Sequence, residues 1–146
     1  MNCRYLLVTL SIAALGLTGC AHLAPPEADT LAKLLQPLPS QAVIFVLRNE
    51  PASAPWRMKV LLDGKDMGST SANTYFRWVV EPGRHLVVSD TENDTGVVVD
   101  AQAGQIYYIW QDVSTGFFRP RADLRFVDRQ TAEVALRSCY LLQGDA

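Results

Sequence analysis

His85 and Cys139 are the side chains of the predicted domain that first suggest a catalytic base or a nucleophile. His85 follows a tight-turn signal, and neither a G-x-S-x-G elbow nor a Cys-His signature accompanies it. Cys139 stands among apolar residues, where a thiol behaves as a small hydrophobe whose pKa rises with burial. We therefore predict a histidine that bonds backbone, an inert core thiol, and no catalytic residue.

Asp90, Glu92 and Asp94 form an acidic stretch with a spacing that resembles a calcium loop. A calcium loop ends on a bidentate glutamate at its twelfth position, where this chain has Ala101. One cysteine beside one histidine is also too few ligands for a tetrahedral zinc site. The sequence thus predicts a solvated turn, no metal and no cofactor.

The segment from 116 to 121 is the best candidate for recognition. Phe117 and Phe118 are adjacent, so they cannot both point into one sheet face, and Arg119 and Arg121 flank them. Exposed aromatic rings beside arginine are typical contact residues for proteins or anionic glycans. The alternative is a loop folded over the end of the domain. Trp56 is a weaker candidate of the same kind.

The first 19 residues have the three zones of an export signal: one positive charge, an apolar run and a small-residue end. The run is too short to cross a bilayer. Leu17-Thr18-Gly19-Cys20 resembles the bacterial lipobox, which implies cleavage before Cys20 and lipid on its sulfur. Ala21, rather than Asp, implies the outer membrane, with the protein facing the periplasm. The alternative is an ordinary signal peptide with an incidental cysteine.

Composition and charge limit the remaining classes of function. The chain has 146 residues, with 13 Lys and Arg against 15 Asp and Glu, and opposite charges are interleaved. Because nucleic-acid binders cluster their basic residues, we predict no nucleic-acid partner. With Cys3 removed and Cys20 acylated, Cys139 is the one remaining thiol, so no intramolecular disulfide is expected.

The chain after the signal divides into a spacer and one domain. Residues 20–40 carry two proline pairs and are predicted to be an extended, Pro-rich tether, with one or two helical turns at 31–35. Residues 41–146 alternate apolar and polar residues between turns and predict a single all-β sandwich of about seven strands. The predicted strands are 42–48, 57–62, 73–80, 84–89, 96–100, 105–112 and 123–127. A short helix is predicted at 131–142, with Cys139 on its apolar face.

Four motifs add a family resemblance: Leu62-Asp63-Gly64-Lys65-Asp66-Met67-Gly68, Thr74-Tyr75-Phe76, Glu81-Pro82-Gly83-Arg84-His85 and Ala103-Gly104-Gln105-Ile106-Tyr107-Tyr108. With these the chain resembles the bacterial envelope lipoproteins of the domain of unknown function 2846. The order of its turns is also similar to that of PEGA and transthyretin-like modules, β-sandwiches used for binding or display. The resemblance implies a fold and a location, without a reaction or a ligand.

Together these observations predict a non-enzymatic, lipid-anchored envelope module that binds or supports an envelope protein or a cell-wall glycan. Two other classes stay open at this point. An envelope hydrolase would require titratable groups that converge in a pocket, and a small-ligand module would require an internal apolar cavity.

Overall fold

The computed structural model describes residues 22–51 and 55–144. The predicted signal peptide at 1–19 and the predicted acylation site Cys20 lie outside these residues. Within them the chain forms two helices, α1 (Pro26–Ala32) and α2 (Arg129–Leu136), and nine strands. The strands are β1 (Ala42–Arg48), β2 (Met58–Leu62), β3 (Lys65–Thr70), β4 (Thr74–Val80), β5 (Gly83–Asp90), β6 (Thr95–Ala101), β7 (Ile106–Ser114), β8 (Arg121–Phe126) and β9 (Tyr140–Leu141).

The strands form two sheets that face each other across a core, so the predicted all-β sandwich is confirmed. One sheet has the order β8-β7-β1-β4-β9 and the other β3-β2-β5-β6. Alternate residues of facing strands fill the space between them, including Ile44, Val60, Phe76, Trp78 and Val99. The even-numbered residues of β4 point inward because strand side chains alternate, as the sequence predicted.

All seven predicted strands are present, and the two further strands are weak in sequence. β3 contains Lys65, Asp66 and Gly68, which are poor strand formers, and it exists because the Asp63-Gly64 turn folds it back onto β2. Both turn residues have positive φ, 52° and 82°, as a two-residue hairpin turn requires. β9 has two residues and pairs in parallel with the start of β4.

The central strand of the five-stranded sheet, β1, is buried on both faces. Every residue of β1 is buried, because even positions face the other sheet while Val43, Phe45 and Leu47 face the helices. The residues that face the helices form a second hydrophobic core, in which Tyr75 packs with Ala132 and Leu136 of α2. The molecule therefore has three layers: helices, the five-stranded sheet and the four-stranded sheet.

The C-terminal helix is shorter than predicted. Asp128 caps α2 by accepting a hydrogen bond from the Thr131 N–H at 2.7 Å, and the helix ends at Leu136. Cys139 is buried in the second core but lies beyond the helix, where the chain turns into β9. The helical spacing of apolar residues continues to Leu142 and gave no sign that the helix ends at Leu136. The pairing of β9 with β4 ends it there.

The residues of the predicted tether that the structure describes lie against the sandwich. α1 begins at Pro26, earlier than predicted, because proline suits the first turn of a helix, where its missing N–H costs nothing. Asp29 accepts hydrogen bonds from the Tyr75 hydroxyl and the Leu141 N–H, and Leu35 is buried in the second core. From His22 onward this segment is part of the folded unit rather than an extended spacer.

Candidate functional site

His85 is a structural residue that joins a turn to a strand. Its Nδ1 lies 2.7 Å from Asp63 Oδ2 and its Nε2 lies 2.8 Å from the Glu81 carbonyl oxygen. Both neighbours are acceptors, so the arrangement favours the charged ring, in which both nitrogens donate. Burial lowers the pKa of His85, but the bonds to Asp63 and Glu81 outweigh it and leave the pKa above its usual value. The predicted bond to backbone is confirmed.

Cys139 is fully buried, as predicted. Its Sγ lies 3.6 Å from the Arg48 carbonyl oxygen, and burial raises the pKa of the thiol to about 11. A thiol with that pKa is almost entirely protonated at neutral pH, which is the unreactive form.

Glu92 in the predicted solvated turn holds the aromatic segment in place. Its Oε2 accepts hydrogen bonds from the backbone N–H groups of Phe118 and Arg119, each at 2.9 Å, and these bonds lower its pKa. Gly116 allows this approach, since a Cβ there would collide with the Arg119 carbonyl and with Glu92. The acidic turn therefore serves as an anchor for the neighbouring loop.

Asn93 ties the same two loops together a second time. Its side-chain amide donates to the Ala122 carbonyl at 2.7 Å, and its Oδ1 accepts from the Ala122 N–H at 3.1 Å. The Glu92 N–H also donates to the Pro120 carbonyl. With both ends bonded in this way, the loop has a defined shape.

Phe117 and Phe118 project from this loop into solvent. Their side chains are 85% and 87% exposed, and their rings meet edge to face with centroids 4.6 Å apart. We call this pair the aromatic tip. The rings therefore do not fold over the end of the sandwich, which was the alternative expected from the sequence. Trp56 is also exposed, at 42%, whereas its carbonyl oxygen is held by Arg48.

The sequence interpretation missed a second apolar surface. On the outer face of the four-stranded sheet, Leu61, Leu86, Val88 and Val98 lie on adjacent strands in register, and we call them the sheet patch. Leu86 and Val98 are more than one-third exposed. Gly96 lies opposite Val88, and the side chains of Val88 and Leu86 pack closely over it. The signal was present, since Leu86-Val87-Val88 and Val97-Val98-Val99 are apolar on both strand faces rather than alternating.

An ion-pair network joins the sheet patch to the aromatic tip. Asp90, at the end of β5, lies 3.1 Å from Lys59 Nζ and 3.4 Å from Arg119 Nη2. Arg84 and Asp100 lie at the other end of the patch, 4.0 Å apart and largely exposed. The result is an apolar surface framed by charges of both signs, the usual composition of a protein-binding surface.

The described residues contain no metal centre: across 22–51 and 55–144, no three His, Cys, Asp or Glu side chains could hold an ion. Neither helix in this part of the chain has the length and apolar content to span a bilayer.

The architecture and the surface define a class: a helix-covered β-sandwich with an exposed aromatic loop. The family model described as "Protein of unknown function (DUF2846)" matches residues 39–123. That match covers more than half of the chain, so the protein belongs to this family. Neither the search of curated proteins nor that of solved structures found a match.

Proposed function

We propose that the protein is a lipid-anchored docking module of the bacterial cell envelope that binds its partner through the aromatic tip, without enzymatic activity. The observation that carries the proposal is the exposure of Phe117 and Phe118 on a loop fixed by Glu92 and Asn93. Exposed aromatic pairs of this kind give up contact with water when they bind, which is a large favourable contribution.

The fixed shape of the loop strengthens the proposal. A preorganised loop loses little conformational entropy on binding, so more of the contact energy appears as affinity. Adjacent Arg119 and Arg121 would favour a partner that offers an apolar pocket edged by carboxylates. An envelope protein fits this description, whereas an anionic cell-wall glycan would offer carboxylates to the arginines and sugar rings that stack on the aromatic side chains.

The lipid anchor is the second part of the proposal. The lipobox motif supports acylation of Cys20, and Ala21 supports the outer membrane, with the domain facing the periplasm. Kinship with PEGA and transthyretin-like modules would fit the same role, since such sandwiches display binding loops.

The test is capture of a partner in the native envelope. A photo-reactive amino acid at position 117 should give a discrete adduct that Phe118→Ala with Arg119→Ala removes, while the melting temperature stays unchanged. The same probe at Phe126, which is 49% exposed on β8, is the matched control and should not give that adduct. An adduct that survives the double substitution, or that also forms from position 126, would contradict the role of the aromatic tip.

A further inference from the structure

The chain is tied to the sandwich immediately after the proposed acylation site. The Ala24 N–H donates to the Leu141 carbonyl at 2.8 Å, and the Gln143 N–H donates to the His22 carbonyl at 2.9 Å. Leu23 also forms a bridge with Leu142. Only Ala21 separates His22 from Cys20 in the sequence, and two residues span at most about 7 Å.

This short span limits how far the domain can lie from the membrane. Acyl chains on Cys20 lie in the bilayer, so the β9 edge of the sandwich would lie at the membrane surface. An extended tether of residues 20–40 would have allowed roughly 60 Å, at about 3 Å per residue. The bonds made by residues 22–24 remove that freedom.

The surface near this point is apolar. Leu23, Leu31 and Leu34 are each more than half exposed. Leu31 lies in the last turn of α1 and Leu34 in the turn that follows it, where the Leu34 N–H donates to the Leu31 carbonyl. Beside them lies an open groove of about 460 Å³, whose lining includes Ala24, Pro25, Ala28, Leu31 and Leu141. We call the three leucines the α1 face.

The charges around the α1 face do not oppose membrane contact. Lys33 and Asp29 pair with each other at 2.6 Å, so they add little net charge. Exposed Glu27 is the nearby acidic side chain left without an ion pair among the described residues, and its position in the first turn of α1 suits the helix dipole. Half-buried Arg77 also lines the groove, so one cation stands against Glu27 and contact would depend mainly on apolar burial.

We infer that the protein lies directly on the bilayer, with Leu23, Leu31 and Leu34 buried in the interface and no spacer beneath the domain. This inference rests on the proposed acylation of Cys20. A partner protein is a poorer occupant for this face, because covalent lipid two residues from His22 already brings the bilayer there.

The experiment uses the acylated protein in vesicles of phosphatidylethanolamine and phosphatidylglycerol. A nitroxide is attached to Leu31→Cys, to Leu34→Cys and, as the control on the opposite layer, to Val98→Cys. Buried Cys139 should not react with the label. We expect positions 31 and 34 to be accessible to lipid-dissolved oxygen and protected from a water-soluble nickel complex, and position 98 to show the reverse.

The mass of the purified chain separates the two possible failures. A chain without acyl groups would overturn the proposed anchor and this inference with it. An acylated chain in which positions 31 and 34 are as open to nickel as position 98 would overturn the inference alone. Leu31→Glu with Leu34→Glu gives a second readout, since it should leave the fold intact and make a label at Leu23→Cys accessible to nickel.

Discussion

At the scale of single residues, the pairing of His85 with Asp63 locks the tight turn between β2 and β3. Asp63 has a positive φ and accepts from the Leu86 N–H as well as from His85. Burial raises the pKa of this carboxyl, but the bonds to His85 and Leu86 outweigh it and lower the pKa below its usual value. Folding therefore favours the charged form of both side chains.

The pair predicts a pH dependence of stability. Because the pKa of His85 is raised on folding, its contribution is complete below the unfolded value of about 6.5 and is lost as the pH rises through the folded value. Asp63 has a lowered pKa, so its contribution is present above about 3.8 and is lost as the pH falls through the folded value.

We expect the melting temperature of the wild type to fall relative to that of His85→Gln as the pH rises above about 6.5. Calorimetric scans at several pH values measure this difference. Asp63→Asn is the matched control, since asparagine tolerates positive φ. When Asp63→Asn is present, the effect of His85→Gln on the melting temperature should vary little with pH. Parallel curves for the wild type and His85→Gln would show that the pair does not titrate as inferred.

At the scale of elements, β4 determines how the two sheets fit together. Trp78 is 5% exposed, stacks on Phe76 with centroids 5.4 Å apart, and fills the core between the sheets. Its neighbour Val79 points to the other side and is 42% exposed.

Trp78→Ala should reduce the free energy of unfolding by about 3 to 5 kcal/mol, because it leaves a cavity that the sheets cannot close. Chemical denaturation measures the loss. Val79→Ala, one position along the same strand, should cost at most about 1 kcal/mol. Equal losses for the two variants would contradict the inward direction of Trp78.

Arg48 joins β1 to the segments that close one end of the sandwich. It is fully buried, donates to Glu50 through Nε and Nη2, and donates to the Trp56 carbonyl at 2.6 Å. Glu50 in turn accepts from the Val113 N–H at 2.9 Å. This polar cluster lies at the end of β1, where the apolar core stops.

Arg48→Ala should destabilise the protein by about 3 to 5 kcal/mol, because it leaves the Glu50 carboxylate partly buried without its cation. Denaturation with urea measures the change. Lys59→Ala, which breaks the exposed pair with Asp90, is the control and should have a much smaller effect. A small effect of Arg48→Ala would mean that water replaces the guanidinium at this end.

At the scale of the whole molecule, the three layers separate the two proposed contacts. α1 and α2 pack on the outer face of the five-stranded sheet, whereas the sheet patch lies on the outer face of the four-stranded sheet. β8, which the loop of the aromatic tip precedes, and β9 lie at opposite edges of the five-stranded sheet. In the proposed orientation, the aromatic tip and the sheet patch would thus be free to meet a partner in the periplasm.

Cys20→Ala should leave the precursor uncut and free of lipid, and the domain should no longer fractionate with the outer membrane. Metabolic labelling with a fatty acid, followed by membrane fractionation, measures both effects. Cys139→Ala is the matched control and should keep label and location, because its thiol is buried. Label that persists in Cys20→Ala would refute the anchor.

The sequence by itself predicted the sandwich, its seven strong strands and the inward face of β4, because alternation and turn residues are local signals that tertiary contacts reinforce. It also predicted that at least one aromatic ring at 117–118 could avoid the sheet, since neighbours on a strand point in opposite directions.

Tertiary structure alone decided the features that depend on distant partners. β3 and β9 form through pairing rather than propensity, α1 packs because Asp29 meets Tyr75 and Leu141, and Glu92 reaches a loop 26 residues away. Proline pairs look alike in a free tether and at the start of a packed helix. Hydrogen bonds between segments far apart in the chain distinguish the two, and the order of residues does not encode them locally.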